Sequence, residues 1–260
     1  MLMVISPAKA LNFAPPPVAA PLTMPALGAD TAELAKTTRR LGVRGLKSLM
    51  GVSDALAKLN RDRFQAFDPA SEEGVQAVFA FNGDVYLGLK AREIDKAALS
   101  WAQAHLRILS GLYGLLRPLD AIQPYRLEMG SSLKTRRGAN LYRFWGPRIA
   151  EALNVACEGH ADPTLINLAS HEYFAAVDRK ALKLPVVNCH FSQERDGVLR
   201  PQGFVAKRAR GLLARFAIDR RIETAEGLKA FDANGYRFRP EASSDADWVF
   251  AQGPAPGGGA

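Results

Sequence analysis

The sequence holds two cysteines, Cys157 and Cys189, in 260 residues. That is too few for a disulfide framework, and a reduced, cytoplasmic protein is the expectation. No apolar run approaches the ~20 residues that a bilayer-spanning helix needs. The opening stretch MLMVISPAKA has no basic region ahead of its apolar residues and no small-residue cleavage site after a long apolar core. It reads as a first strand rather than a signal peptide, and no membrane association is expected. Metal-binding patterns are also missing. There is no Glu-x-x-His pair of the di-iron type. CEGH (157–160) and Cys189-His190 supply two thiols and two imidazoles, but neighbours in a strand point to opposite faces. No metal and no cofactor are expected. Ser6, Ser170 and His171 lack the spacing of a nucleophile elbow. No internal repeat or obvious linker divides the chain, so one domain over 1–250 is expected. The Gly/Pro/Ala tail AQGPAPGGGA (251–260) is expected to be disordered.

What the chain does have is positive charge. The formal net charge is +8 and the pI about 9.7. Such a balance favours polyanions: nucleic acid, phosphorylated metabolites or anionic surfaces. Charge alone does not choose among them, because many basic enzymes bind no nucleic acid.

Periodicity gives a coarse structure. LMVIS (2–6), VQAVFAF (75–81), LRILS (106–110), TLINLAS (164–170) and LPVVNCHFSQ (184–193) are apolar runs that read as buried strands. LNFAPPPVAAPLTMPAL (11–27) reads as an extended surface connection. Helical patterns cover 31–67, with breaks at Gly42, Gly45 and Gly51, then 94–105 and 204–222. GYRFRP and DWVFAQ make a terminal hairpin. The alternation indicates an α/β (or α+β) class: a mixed sheet surrounded by helices.

Three apolar strands end in polar clusters: Ser6 and Lys9; Asn82 and Asp84; Asn167, Ser170, His171, Glu172 and Tyr173. Ligands in open α/β sheets sit at the carboxyl ends of strands. The segment SGLYGLLRPLDAIQPYRLEMG (110–130) adds Arg117, Asp120, Tyr125, Arg126 and Glu128. Pro118 and Pro124 fix its path. The pocket expected from these positions comprises Ser6, Lys9, Asn82, Asp84, Arg117, Tyr125, Arg126, Asn167, Ser170 and Tyr173. Lys9, Tyr125, Glu128 and Glu172 are its candidate catalytic groups, with Lys9 fit for acid–base or Schiff-base work if desolvated. Two alternatives stand open for Arg117 and Arg126. They face a ligand phosphate, or they pair internally with Asp120 and Glu128.

The chain resembles, nearly end to end, the YaaA family of bacterial peroxide stress proteins, also called UPF0246 or DUF328. The landmarks are ISPAK (5–9), FNGDVYLGL (81–89), LRILSGLYGLLRPLDAIQPYRLEMG (106–130), LYRFWG (141–146), INLASHEYF (166–174), AKRARGLLARF (206–216) and NGYRF (234–238). Two departures are visible. Ala10 and Asn12 stand where the family usually has Thr and Asp, and His171 replaces an acidic residue. Both remove a carboxylate near the expected pocket. The resemblance implies a cytosolic protein that helps cells survive hydrogen peroxide by limiting free intracellular iron. It also implies DNA binding and an unusual α/β fold with a helix-hairpin-helix element.

Two stretches bear on DNA by their own residues. LKSLMGVSDALAKLNRDRF (46–64) reads as helix, turn, helix, within a helix-hairpin-helix-like element at about 40–65. Gly51 permits the turn and Ser53 caps the second helix, whose amides then suit a phosphate. The 204–222 helix has an apolar face of Val205, Ala209, Leu212, Leu213 and Phe216. Lys207, Arg210 and Arg221 project opposite, flanked by Arg208 and Arg215. A further basic cluster, Lys134, Arg136, Arg137, Arg143 and Arg148, is interleaved with Tyr142 and Trp145. Either its aromatics stack on bases or they belong to the core.

The sequence thus supports a monomer that binds double-stranded DNA through Gly51, Ser53, Lys58, Lys207, Arg208, Arg210 and Arg215. The alternative is an enzyme acting on a phosphorylated or nucleotide-like small molecule in the pocket of Lys9, Arg117 and Arg126. A structural or interaction module is a third class.

Overall fold

The structure is a computed structural model and describes residues 1–201 and 203–253. Its centre is a mixed sheet. The strand order is Tyr236–Phe238, Asp247–Gln252, Val186–Arg195, Leu165–Leu168, Leu2–Ile5, Leu106–Ser110, Gly114–Leu116, with Val198–Pro201 also paired to Val186–Arg195. The four strands from Asp247–Gln252 to Leu2–Ile5, and Leu106–Ser110 beyond them, run parallel. The edges are antiparallel. Leu2, Met3, Val4 and Ile5 are all inaccessible to solvent. A strand covered on both faces needs an unbroken apolar run, which LMVI supplies.

Helices Gly28–Arg39, Val43–Met50 and Asp54–Ala66 follow the Pro-rich stretch. The breaks expected at Gly42 and Gly51 are present. Gly45 lies inside the Val43–Met50 helix and breaks nothing. Strand Asp247–Gln252 contains Ala251 and Gln252, so the disordered tail expected over 251–260 begins too early; its part from 254 on lies outside the described residues.

The run VQAVFAF is not one strand. Val75–Gln76 pairs with Ala121–Ile122, Ala77–Ala80 forms a single helical turn, and Phe81–Asn82 pairs with Ala10–Leu11. The cause is a partner far along the chain. The Ala77 and Val78 N–H groups donate to the carbonyls of Asp120 and Pro118 at 2.9 and 3.0 Å. These alanine-rich residues tolerate the turn that this capture requires.

Helix Gly203–Arg220 crosses helix Asp84–Leu89 at close range. A Cβ on Gly211 would lie 1.9 Å from the Val85 carbonyl oxygen, and one on Gly88 would lie 2.0 Å from that of Arg208. Two glycines therefore fix the approach. It brings the start of the short helix, with Asp84, beside Lys207 and Arg210 on the long one.

Candidate functional site

Strand Leu2–Ile5 has parallel neighbours on both sides, Leu106–Ser110 and Leu165–Leu168. The chain leaves it in one direction and returns on the other side, which opens a crevice beyond its carboxyl end. A cleft of about 330 Å³ lies there. Sequence-distant segments meet in it: Ser6 and Lys9; Asn82 and Asp84; Glu128; Ser170, Glu172 and Tyr173; Lys207 and Arg210.

Its floor is built by hydrogen bonds between strand ends. The Ser170 N–H donates to Ser6 Oγ at 2.8 Å, and Ser6 Oγ donates to Ser170 Oγ at 3.3 Å. The Tyr86 hydroxyl donates to the Ser6 carbonyl at 3.2 Å. Glu128 is held from two sides: Lys9 Nζ is 3.1 Å from Oε2, and Arg126 donates through Nε and a terminal nitrogen to Oε1 at 3.1 and 2.9 Å. Glu172 Oε1 accepts the Gly130 N–H at 3.0 Å. Burial pushes the Tyr173 phenol up, and the neighbouring Glu172 and Glu128 carboxylates add to that. It is therefore a hydrogen-bonding phenol, not a phenolate, at neutral pH.

Lys9 is 65% exposed on its side chain. It is a solvated cation on a carboxylate rather than a desolvated lysine, which corrects the Schiff-base option. Arg117 does not line the cleft. Its Nε donates to Asp120 Oδ1 at 3.0 Å and a terminal nitrogen donates to the Met24 carbonyl at 2.9 Å. Tyr125 is buried, its hydroxyl 2.7 Å from Ser110 Oγ, and burial raises its phenol well above the usual range. Tyr125 and Arg126 line a small hollow behind Glu128 instead of the cleft. Of the two alternatives for Arg117 and Arg126, internal pairing is the arrangement found for both. Asn167 opens into a second cavity of about 480 Å³, on the other side of Arg210.

The basic surfaces separate into paired and unpaired charge. Gly51 ends the Val43–Met50 helix in the left-handed region at φ 60°, and Ser53 caps the Asp54–Ala66 helix by accepting the Leu56 N–H at 3.4 Å. Lys58 is paired with Asp62 at 3.2 Å and Lys47 with Asp54 at 3.0 Å. Arg215 is paired with Asp219 at 2.7 Å. Arg137 pairs with Asp30 and Glu33, and Arg148 with Asp30. Trp145 is fully buried, so it belongs to the core and stacks on no base. Lys207 and Arg208 are exposed and carry no ion pair among the described residues.

Arg210 departs from the helical projection. It is half-buried, and its Nε is fully buried without a partner. Ala209, Gly211, Leu213 and Ala214 around it are all buried. The Gly203–Arg220 helix is covered by the sheet and by the Asp84–Leu89 helix together, so its solvent face is narrower than the sequence pattern suggests. Lys207 and Arg210 thus form a wall of the cleft, a role the helical projection missed. The signal available in the sequence was the pair Gly88 and Gly211.

No group of three metal-ligating side chains is present among the described residues. Cys189 is buried, while His190 is exposed and bonded through Nε2 to Asp247 Oδ1 at 2.8 Å. No helix among the described residues is long and apolar enough to cross a membrane.

Residues 1–242 match the family model described as peroxide stress protein YaaA. The chain is 68% identical over 252 residues to a UPF0246 protein of Caulobacter vibrioides, covering 97% of this chain and 99% of the relative. It is 66% identical over 256 residues to one from Phenylobacterium zucineum, covering 98% and 96%. A UPF0246 protein of Delftia acidovorans is 51% identical over 255 residues, covering 96% and 98%.

Proposed function

The chain belongs to the peroxide stress protein YaaA family, and from that premise we propose how it serves peroxide defence. It limits the free intracellular iron that peroxide would otherwise oxidise, and it acts in the cytoplasm as a monomer in contact with double-stranded DNA. The observation that carries the DNA reading is the exposed pair Lys207 and Arg208, cations with no carboxylate partner among the described residues. Unpaired surface cations are what a phosphate backbone neutralises, with release of its counterions. The Gly51 turn and the Ser53-capped helix supply a second contact of the kind that presents backbone N–H groups to a phosphate.

Fluorescence anisotropy with a labelled duplex tests this reading. Affinity should fall by about two orders of magnitude or more between 50 and 200 mM salt if several phosphates are contacted. The double variant Lys207→Glu, Arg208→Glu should weaken it about tenfold further. Binding that is undetectable, or indifferent to salt, removes DNA from the function. Free iron measured by whole-cell electron paramagnetic resonance in a complemented deletion strain tests the iron arm separately.

A second reading is favoured by the mixed charge of the cleft. Asp84, Glu128 and Glu172 line it beside Lys9 and Lys207. Carboxylates beside lysines suit proton transfer on a small substrate, with the lysines left to hold its anionic group. In that reading the cleft takes a phosphorylated or nucleotide-like molecule, with Lys9, Glu128 and Glu172 as its acid–base groups.

A further inference from the structure

Among the described residues most part-buried or buried arginines pair or hydrogen-bond through their side chains, but Arg63 and Arg210 do not. Arg107, 8% exposed, donates to the carbonyls of Gln103 and Leu106 at 2.9 and 2.8 Å. Arg117 closes on Asp120. Arg239 buries an unpartnered Nε but gives its terminal nitrogens to Glu194 and Glu241. Arg210 also buries an unpartnered Nε, and it makes no ion pair or hydrogen bond among the described residues. The one ionisable group that acts on it is the Cys189 thiol. Burial holds that thiol in its neutral form, so it is no counter-ion. Arg210 is half-buried, and its Nε is cut off from water without a partner; an unmet buried donor is costly, and an anion on the guanidinium would complete it.

Arg210 stands between the cleft and the second cavity and lines both. The second cavity, about 480 Å³, has the size of a small-molecule site. Its lining holds two kinds of group. Arg210 and the exposed Arg179 are cations, and the Arg179 guanidinium lies 5.9 Å from the Phe174 ring centre. The other kind is a run of hydrogen bonds ending on a carboxylate. Asn167 Nδ2 donates to Asn188 Oδ1 at 3.0 Å, and Asn188 Nδ2 donates to Asp247 Oδ1 at 3.2 Å. His190 adds a bond to the same oxygen, and its hydrogen bond holds the Asp247 carboxyl below its usual range. Asp247 is thus an ionised acceptor, and its Oδ2 takes no hydrogen bond among the described residues.

We propose that this second cavity is a binding site for a nucleoside monophosphate, with its phosphate on Arg210 and Arg179 and its sugar hydroxyls donating to Asp247. The two kinds of lining group call for two features in one ligand: an anion for the arginines and neutral donors for the carboxylate. A phosphate joined to a polyol meets both requirements, whereas a free phosphate meets only the first. A carboxylate that accepts ribose hydroxyls is a recurring solution in nucleotide sites, and Phe174 at the same cavity offers an apolar face to a base. This site rests neither on DNA binding nor on catalysis in the cleft.

The test is calorimetry and thermal melting of the full chain with adenosine 5′-monophosphate, inorganic phosphate and adenosine as probes. The monophosphate should bind and raise the melting temperature, while phosphate and adenosine each bind at least about tenfold more weakly, because each leaves one kind of lining group unmet. Arg210→Met should weaken the monophosphate about 30-fold or more. Without ligand that variant should melt no lower than the parent, because it removes a part-desolvated charge and an unmet buried donor. Arg210→Lys should keep part of the affinity. Three results would overturn the proposal. The monophosphate could fail to bind the parent protein. Arg210→Met could bind it undiminished. Or Arg210→Met and Arg210→Lys could both lose their fold, which would make Arg210 a brace.

Discussion

The segment 110–130 contains two arginine–carboxylate pairs that look alike in the sequence and end in opposite states. Arg117 and Asp120 close on each other in the core. Asp120 is 1% exposed, and its Oδ1 accepts the Thr23 hydroxyl at 2.6 Å as well as Arg117 Nε. Its Oδ2 accepts the Arg117 N–H at 2.7 Å. The pair pins the Pro-rich stretch, because Thr23 and Ala121 also exchange backbone bonds with this turn. Arg126 and Glu128 instead share a carboxylate with Lys9 at the mouth of the cleft. The difference lies in saturation. In the first pair the carboxylate is sealed in the core with both oxygens engaged, and the second keeps a solvated lysine that a ligand can displace.

Removing Asp120 should break the comparison most visibly. Asp120→Ala leaves the Thr23 hydroxyl, the Arg117 N–H and the Arg117 guanidinium without their acceptor. The expected loss is about 3 kcal/mol, at the low end for a broken buried pair because Arg117 remains within reach of water. Urea unfolding followed by circular dichroism reads it. A loss under about 1 kcal/mol would mean that the turn is held by its backbone bonds alone.

Glu128→Gln should do the reverse. The Arg126–Glu128 pair is part-buried, with side chains 18% and 24% exposed, but glutamine keeps the acceptor oxygen for Arg126, so the cost should stay at about 1 kcal/mol. Stability should therefore hold while peroxide resistance of a complemented deletion strain disappears, because Lys9 and Arg126 lose the charge that positions them. If this variant instead unfolds as Asp120→Ala does, the cleft pair is another brace and the two regions are alike.

The sequence made some of this visible and hid the rest for physical reasons. LMVI and LRILS are legible as strands because burial on both faces leaves no polar position in them. VQAVFAF has the same composition, but its conformation depends on carbonyls at Pro118 and Asp120, some forty residues away. Ser6, Lys9, Ser170 and Tyr173 could be grouped because strand ends of a parallel sheet converge, whereas Asn82 and Asp84 reach the cleft through the antiparallel pairing of Phe81–Asn82 with Ala10–Leu11. Arg117 could not be separated from Arg126, since nothing local reports which side of the loop is covered. Arg210 was placed opposite the apolar face by helical projection. The projection fails because a helix packed on two sides buries residues that a one-sided helix exposes.

A third corner of the molecule sharpens the comparison with groups held neutral instead of paired. His105 and His160 each place Nδ1 2.9 Å from the Met1 carbonyl oxygen. That oxygen only accepts, so both rings carry their proton on Nδ1 and donate it. The rings are 4.6 Å apart, and His105 stacks on Trp101 at 4.0 Å. Burial lowers the pKa of both, and the backbone bond to Met1 offsets it in part. The sign of the consequence is fixed. The unfolded chain takes up protons at the usual histidine range, and the folded one only below it. The stability these rings contribute is complete above that range and is lost as pH falls through it. Melting at pH 7.5 and 5.5 should show a lower value at the acid end. His160→Gln keeps a donor for Met1 but cannot titrate, so it should cost about 1 kcal/mol or less at pH 7.5 and flatten the pH dependence. An unchanged slope in that variant would place the acid sensitivity elsewhere and leave the corner as plain packing. Among the three substitutions this effect is the smallest, because neutral groups that share one acceptor have less to lose than a buried carboxylate with a guanidinium on it.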